Sequence, residues 1–203
     1  MVDRADTQQE AKLVTDAAQG DFAAFEKLVG RYSQSLWNFA YDILGNYDDA
    51  SDAVQQTLIQ VHRSLPKLEN PARFRPWLFT IARNKCLDLL RCHQPDLSFS
   101  DLAQAAHRSQ SDDYDESDFA PPANLPDDAP LPDELIERRE TQQLLQVAIN
   151  TLPPRLRQVV ALRYTTDLSF GEIGVVMAIS PNTAKTLFQQ AKVQLRAYLR
   201  QRL

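Results

Sequence analysis

LSFGEIGVVMAISPNTAKTLFQQAKVQL, residues 168–195, is the stretch whose reading decides the fold. Ser169 followed three residues later by Glu172 is the pattern of a capping box, in which each side chain answers the other residue's backbone amide. Ile173, Gly174 and Met177 then give an apolar, small, apolar face over one turn of helix. Ala178 and Ile179 form a short turn. Ser180 and Pro181 restart a helix, with Ser180 as N-cap and Pro181 at the first helical position, where a missing N–H costs nothing. Ala184, Phe188, Ala191 and Leu195 recur at i, i+4, i+7 and i+11, which is one buried face. Asn182, Lys185, Thr186, Gln189 and Lys192 lie off that face, and such side chains bind phosphates and read base edges. The pattern predicts a helix-turn-helix, whose close helix crossing suits these small residues. A solvated surface hairpin would carry the same polar residues, so this stretch alone leaves both readings open.

Working outward, a chain of 203 residues has room for one or two domains. Only 5 glycines and a mostly helical periodicity predict an all-α protein. There is no apolar run long enough to span a bilayer and no apolar leader, so a cytoplasmic protein without direct membrane insertion is expected. Cys86 and Cys92 lie six residues apart on one helix, facing different ways with no Cys/His cluster around them; they read as plain thiols, not a disulfide or zinc site.

The net charge of −5 looks wrong for a DNA binder until it is divided along the chain. Residues 1–95 are nearly neutral at net −1, residues 96–133 carry net −9, and residues 134–203 carry net +5. Two basic clusters, residues 73–91 and the tail from Pro181, flank the acidic middle and suggest two contacts on one nucleic acid.

Helical stripes organise the first 95 residues. A helix from about 8 to 19 precedes a long one that Asp21 caps, which runs to 44 with Phe22, Phe25, Leu28, Val29, Tyr32, Leu36, Phe39, Ala40 and Ile43 inward. Gly45-Asn46 ends it. Asp48 is expected to cap the next helix, with Ala53, Val54, Leu58, Val61 and Leu65 inward and Pro66 as its stop. Asn70-Pro71 opens a short helical turn, Pro76 marks a kink or fresh start, and a helix through Arg91 packs Trp77, Leu78, Ile81, Leu89 and Leu90. Residues 96–133, with SDDYDESD and PPANLPDDAPLP, have the composition of a flexible acidic linker. A second bundle starts near Glu134, breaks at Leu152-Pro153-Pro154 and leads into the helix-turn-helix. The expected division is therefore 1–95, 96–133 and 134–203.

This organisation resembles the extracytoplasmic-function sigma factors, the smallest members of the sigma-70 family of bacterial RNA polymerase. FAAFEKLVGRYSQSLWNFAYDILGNYDDASDAVQQTLIQVHRSL is similar to the family's first conserved block. ARFRPWLFTIARNKCLDLLR is similar to its promoter-melting and minus-ten-reading block, and LPPRLRQVVALRYTTDLSFGEIGVVMAISPNTAKTLFQQAKVQLR to its minus-35-reading block. Three blocks in the right order are far more specific than a lone helix-turn-helix.

The resemblance implies roles that these residues can support. Asp49, Asp52, Gln55 and Gln56 recur on one side of a helix, with Leu58 and Ile59 as an apolar part, and would dock the polymerase beta-prime subunit. The minus-ten element would meet Asn70, Arg73, Phe74, Arg75, Trp77, Arg83, Asn84, Lys85 and Arg91: cations for phosphates, Asn84 for a base edge or phosphate, and two aromatics, of which Trp77 also starts an apolar stripe. Residues 66–70 correspond to the loop that captures an extruded base. The minus-35 element would meet Ser180, Asn182, Thr183, Lys185, Thr186, Gln189, Gln190 and Lys192. Leu187 and Gln190 stand where the family commonly has arginine, which implies a weaker hold on phosphates, while Gln189 and Gln190 could read adenines. The implied partners are core RNA polymerase through its beta-prime and beta subunits, promoter DNA, and an anti-sigma factor that could hold the chain at the inner membrane face. No cofactor, metal or catalytic residue is implied. His62, His93 and His107 are scattered, and no phosphate loop or nucleophile motif occurs, so an enzyme is not expected. The competing function is a stand-alone helix-turn-helix regulator whose N-terminal bundle senses a ligand or dimerises; it would need neither the residue 49–56 surface nor the residue 73–91 cluster.

Overall fold

The computed structural model describes residues 4–93 and 144–202. The expected acidic linker at 96–133 and the expected start of the second bundle near Glu134 lie outside the described residues. Among the described residues all regular structure is helical. The order is α1 (Arg4–Ala18), α2 (Phe22–Leu44), α3 (Tyr47–Ser64), two 3-10 turns (Leu65–Lys67 and Pro71–Arg73), α4 (Phe74–His93), α5 (144–150), α6 (Pro154–Thr165), α7 (Phe170–Met177) and α8 (Pro181–Arg200).

The helix ends follow from local chemistry. Asp21 caps α2: its Oδ1 accepts from the amides of Ala23 at 2.9 Å and Ala24 at 3.2 Å, a contribution of about 1 kcal/mol. Gly45 ends α2 in the left-handed region at φ 69°, and its N–H donates to the Tyr41 carbonyl. That leaves a single extended residue before α3, so Asn46 is its cap and not Asp48. The Asn46 side chain accepts from the Asp48 amide at 2.9 Å, while Asp48 and Asp49 sit in the first turn and favour the helix dipole. Pro66 does stop α3. Pro76 makes neither kink nor restart, because α4 begins at Phe74 and places Pro76 in the first turn, where the lost N–H has no helical partner.

α2 is the central rod. It packs against α1, α3, α4 and α6. Phe25, Leu28, Val29, Tyr32, Leu36, Phe39, Ala40 and Ile43 are all buried on it, as their spacing predicts. Phe22 is the exception at 61 % exposed: it is the first residue of the helix, ahead of the neighbours that cover the rest of the stripe, and Ala24 is buried in that first turn. Phe39 meets Phe79 of α4 edge-to-face at 5.5 Å, and each such fully buried side chain stabilises the fold by about 1.5–3 kcal/mol. The Tyr32 hydroxyl ties α1 to α2 by donating to Glu10 Oε2 at 2.6 Å; burial, then Glu10, raises its pKa. On α3 the inward face is Ala50, Ala53, Thr57 and Val61, whereas Val54 and Leu58 are only half-buried.

The C-terminal helices do not stand apart. α6 packs on α2 and α7 on α4, and one continuous hydrophobic core runs through both halves. Within the C-terminal part, the Ser169–Glu172 capping box forms as its spacing predicts. Ile173, Gly174 and Met177 are buried on α7, and Ala184, Phe188 and Ala191 on α8. Ala178 makes the turn at φ 54°, a left-handed conformation that costs a non-glycine residue about 1–2 kcal/mol.

Candidate nucleic-acid interface

Three surfaces carry the expected contact residues. On α3, Asp52, Gln55, Gln56 and Ile59 are exposed and lie at spacings of three and four, so they form one polar face with an apolar edge. Asp49 is half-buried at its N-terminal end. Leu58 is turned toward the core and packs beside Phe25, Val61 and Leu78, so Ile59, at 38 % exposed, supplies the apolar part of that face alone.

On α8, the helix starts at Ser180, whose hydroxyl accepts from the Thr183 amide at 3.0 Å and shares a hydrogen bond with the Thr183 hydroxyl at 2.8 Å. Both side chains are thus occupied in capping. Asn182, Lys185, Thr186, Gln189 and Gln190 are exposed along the outer face. Thr186 donates its hydroxyl back to the Asn182 carbonyl at 3.0 Å. Lys192 is half-buried and lies 5.8 Å over the Phe188 ring, which directs its stem along the helix. Leu187 packs against the core, so a cation at that position would not have faced outward freely.

The third group lies on α4 and the turns before it. Asn70, Arg73 and Asn84 are exposed, and Asn70 caps the turn at 71–73 through the Ala72 amide at 3.0 Å. Phe74 is not available to a base: it is 2 % exposed and meets Tyr32 edge-to-face at 5.6 Å. It is the first residue of α4 and points into the core, where it joins the stripe that sequence spacing starts only at Trp77. Trp77 is half-buried with its ring 6.0 Å from that of Phe74. Lys85 is half-buried, and Arg91 pairs with Asp88 at 2.9 Å.

Two of the expected minus-ten residues are engaged by the C-terminal helices. Arg83 is 7 % exposed and its Nε donates to Oε1 of Gln158 at 2.7 Å. Burial first, then the charges of Arg155 and Arg91, pull its guanidinium down to about 10, so it stays cationic at neutral pH. Arg75 donates through Nη2 to the Thr166 carbonyl at 2.7 Å. Beside them, the Thr165 hydroxyl donates to Asp42 Oδ2 at 2.9 Å, and Arg157 donates to the Ile43 carbonyl at 3.2 Å. Sequence reading missed Gln158, Thr165, Thr166 and Asp42. The one signal was a glutamine inside the apolar run LRQVVAL, a polar group that burial obliges to find a partner.

The two cysteines differ as their faces require. Cys86 is fully buried and burial pushes its thiol up to about 12, whereas Cys92 is exposed. A maleimide at pH 7.5 is therefore expected to label Cys92 alone in the folded chain, and both only in denaturant; mass spectrometry of the labelled peptides checks this, and labelling of Cys86 under native conditions would show that α4 is not packed as described. Among the described residues no group of His, Cys, Asp and Glu could hold a metal, and no helix is long and apolar enough to cross a membrane.

Comparisons with known proteins place the chain in a family. The family description "Sigma-70 region 2" matches residues 28–95, and "Sigma-70, region 4" matches residues 142–195. The chain is 33% identical to the RNA polymerase sigma factor CarQ of Myxococcus xanthus over 87% of this chain and 89% of that one. It is 28% identical to the ECF RNA polymerase sigma factor SigW of Bacillus subtilis over 93% of this chain and 96% of that one. Among solved structures, CnrH in complex with the cytosolic domain of CnrY is similar with a TM-score of 0.65 at 24% identity, covering 94% of this chain and 96% of that one. The sigma factor RpoE in complex with the anti-sigma factor NepR, from Bartonella quintana, gives 0.62 at 22%, covering 87% and 96%. At those identities the structures speak to the fold.

Proposed function

Because the chain belongs to the sigma-70 family, among its extracytoplasmic-function sigma factors, we propose that it works as a promoter-specificity subunit with three separate surfaces. The α3 face at Asp49, Asp52, Gln55, Gln56 and Ile59 docks on core RNA polymerase. The cations of α4 and of the turn before it, Arg73, Arg75, Arg83, Lys85 and Arg91, with Asn70, Asn84 and the edge of Trp77, take the opened minus-ten strand. The outer face of α8 reads the minus-35 element. The observation that carries this is that an acidic amide-rich face and a basic face occur on different helices of one bundle. A polymerase surface and a DNA strand can then be held at once without competing.

The chemistry is binding, not catalysis. Cations neutralise phosphates and release counterions, so promoter contact should weaken as salt rises. The chain itself transfers no group; the polymerase does. An anti-sigma factor, the kind of partner bound to the similar RpoE of Bartonella quintana, fits as the controlling partner, and the site of action would be the cytoplasm.

The test is co-elution of the purified chain with core bacterial RNA polymerase on gel filtration at near-physiological salt, without DNA. Co-elution is the expected result. A folded, inhibitor-free chain that fails to join a polymerase competent for another sigma factor would sink the reading and favour the stand-alone regulator.

A further inference from the structure

We propose that α1 positions the loop at 66–70, to which the resemblance gives capture of an extruded base, and that the Glu10–Tyr32 hydrogen bond is the tie that sets it. Glu10 and Tyr32 are then positioning residues for minus-ten reading. The inference rests on the minus-ten role given above to Asn70 and α4. The loop lies between two 3-10 turns, Leu65–Lys67 and Pro71–Arg73. A single turn fixes several dihedrals for few hydrogen bonds, so it does not hold itself. The first turn has no side-chain cap at Ser64, and the second buries no residue of its own. Their places are set from outside. α3 packs on the first turn and α4 on the second, and α1 packs on both.

α1 is held in two different ways. Its C-terminal end joins α2 by a short connection, in which the Asp21 amide donates back to the Asp16 carbonyl at 3.1 Å. Val14 is buried along its length, with Leu13, Ala17 and Ala18 packed against the core. Such burial attracts without orienting, because it follows area and has no direction. Glu10, one turn before Val14, supplies the direction. Its Oε2 accepts the Tyr32 hydroxyl at 2.6 Å, with Arg31 Nη2 at 3.8 Å. The Glu10 side chain is only 13 % exposed, so its carboxylate depends on that short donor. Burial, then Glu10, holds the Tyr32 pKa above its ordinary value, so the phenol remains a donor at neutral pH.

Tyr32 links that tie to the loop. Its ring meets Phe74 edge-to-face at 5.6 Å. Phe74 directly follows the second turn, and its N–H donates to the Pro71 carbonyl. One side chain thus fixes the point where the chain leaves the loop and, through its hydroxyl, the helix that packs on both turns. Rotating α1 about its axis moves the surface on which both turns rest. A pocket for one unstacked base needs its walls held to within about 0.5 Å. The phosphate contacts of the α4 cations carry no such demand, since they position the strand without reading it.

The test uses the full chain assembled with core polymerase on random genomic fragments. A mapped transcription start supplies the probe, a labelled single strand of about 15 nucleotides over the minus-ten element. Each base is replaced in turn by an abasic site, and affinity for the assembled polymerase is read by anisotropy. The parent should show one position where the loss is about tenfold, the worth of one captured base. Tyr32→Phe, which keeps the ring against Phe74, and Glu10→Ala should each cut that loss to about twofold. Losses at the other positions, and affinity for core polymerase, should not change. Glu10→Gln still accepts the hydroxyl and should keep the loss at about tenfold. Combining Tyr32→Phe with Glu10→Ala should add nothing to either alone. Circular dichroism confirms helix in each, and Tyr32→Phe guards against misfolding of Glu10→Ala. A one-position loss that survives in both single variants overturns the positioning role. So does a fall in affinity spread evenly over all positions, which marks a bond that serves stability alone. A parent that starts transcription yet shows no such position sinks base capture at 66–70 and this inference, while the promoter role stands. No promoter-dependent start sinks the promoter reading and the inference with it.

Discussion

Replacing Gly174 with valine is expected to destabilise the α7–α8 pair and weaken minus-35 recognition while core-polymerase binding survives. A Cβ at Gly174 would lie 2.8 Å from the Ile179 carbonyl oxygen and 3.4 Å from the Pro181 nitrogen. Both are backbone atoms of the turn, so no side chain can rotate away. Gly174→Ala gains up to about 1 kcal/mol of helix propensity, which offsets part of the clash. Gly174→Val forfeits that gain and adds two methyls to a crossing with no room, a cost of about 3 kcal/mol or more. For a chain of this size that corresponds to a fall in Tm of roughly 6–12 °C. Thermal melting by circular dichroism measures the loss, and binding to a minus-35 duplex reports its consequence. An unchanged melt would mean that the helices do not cross at this glycine.

The same turn shows what sequence could and could not tell. The Ser169–Glu172 box, Ser180-Pro181 and the Ala184–Phe188–Ala191 spacing were legible because each is a local rule with a fixed offset. The left-handed Ala178 was not legible, since alanine carries no signal for that conformation and only the crossing imposes it. On α2 the stripe was readable over eight positions and failed at Phe22, where helical periodicity holds but no partner element reaches. On α3 the polar face was readable, yet Asn46 took the capping role from Asp48, because Gly45 left only one residue of extended backbone.

The minus-ten surface was legible as composition and illegible as exposure. Arg73, Arg75 and Arg83 read alike in sequence. In the fold Arg73 faces solvent, Arg75 is tied to the Thr166 carbonyl and Arg83 is sealed beneath Gln158. Phe74 and Trp77 likewise divided, the first into the core and the second to its rim. For the arginines the difference arises from contacts between residues 75 and 91 positions apart, which no local pattern encodes. Domain packing thus decides which of the binding residues are presented, and sequence shows only which are available.

Charge reversal on α3 should have the opposite separation of effects. Asp49→Lys with Asp52→Lys is expected to lower affinity for core polymerase by about 100-fold or more while the chain stays folded. Asp49 lies in the first turn of α3, so its loss removes a dipole interaction of about 0.3–1 kcal/mol, and Asp52, one turn on, contributes less. Neither side chain is in the core, so the helix keeps its buried face of Ala50, Ala53, Thr57 and Val61. Against a partner surface complementary to carboxylates, two like-charge juxtapositions cost several kcal/mol, and each 1.4 kcal/mol is about tenfold. Binding therefore loses far more than folding does. A titration of core polymerase with the labelled chain gives the affinity, and a melt of the same sample gives the stability. Gln55 and Gln56, on the same exposed face, should tolerate alanine with losses of only about tenfold each, because they forfeit hydrogen bonds without introducing repulsion. If the doubly reversed chain binds within about threefold of the parent, the polymerase is held elsewhere and the acidic start of α3 serves only its own helix.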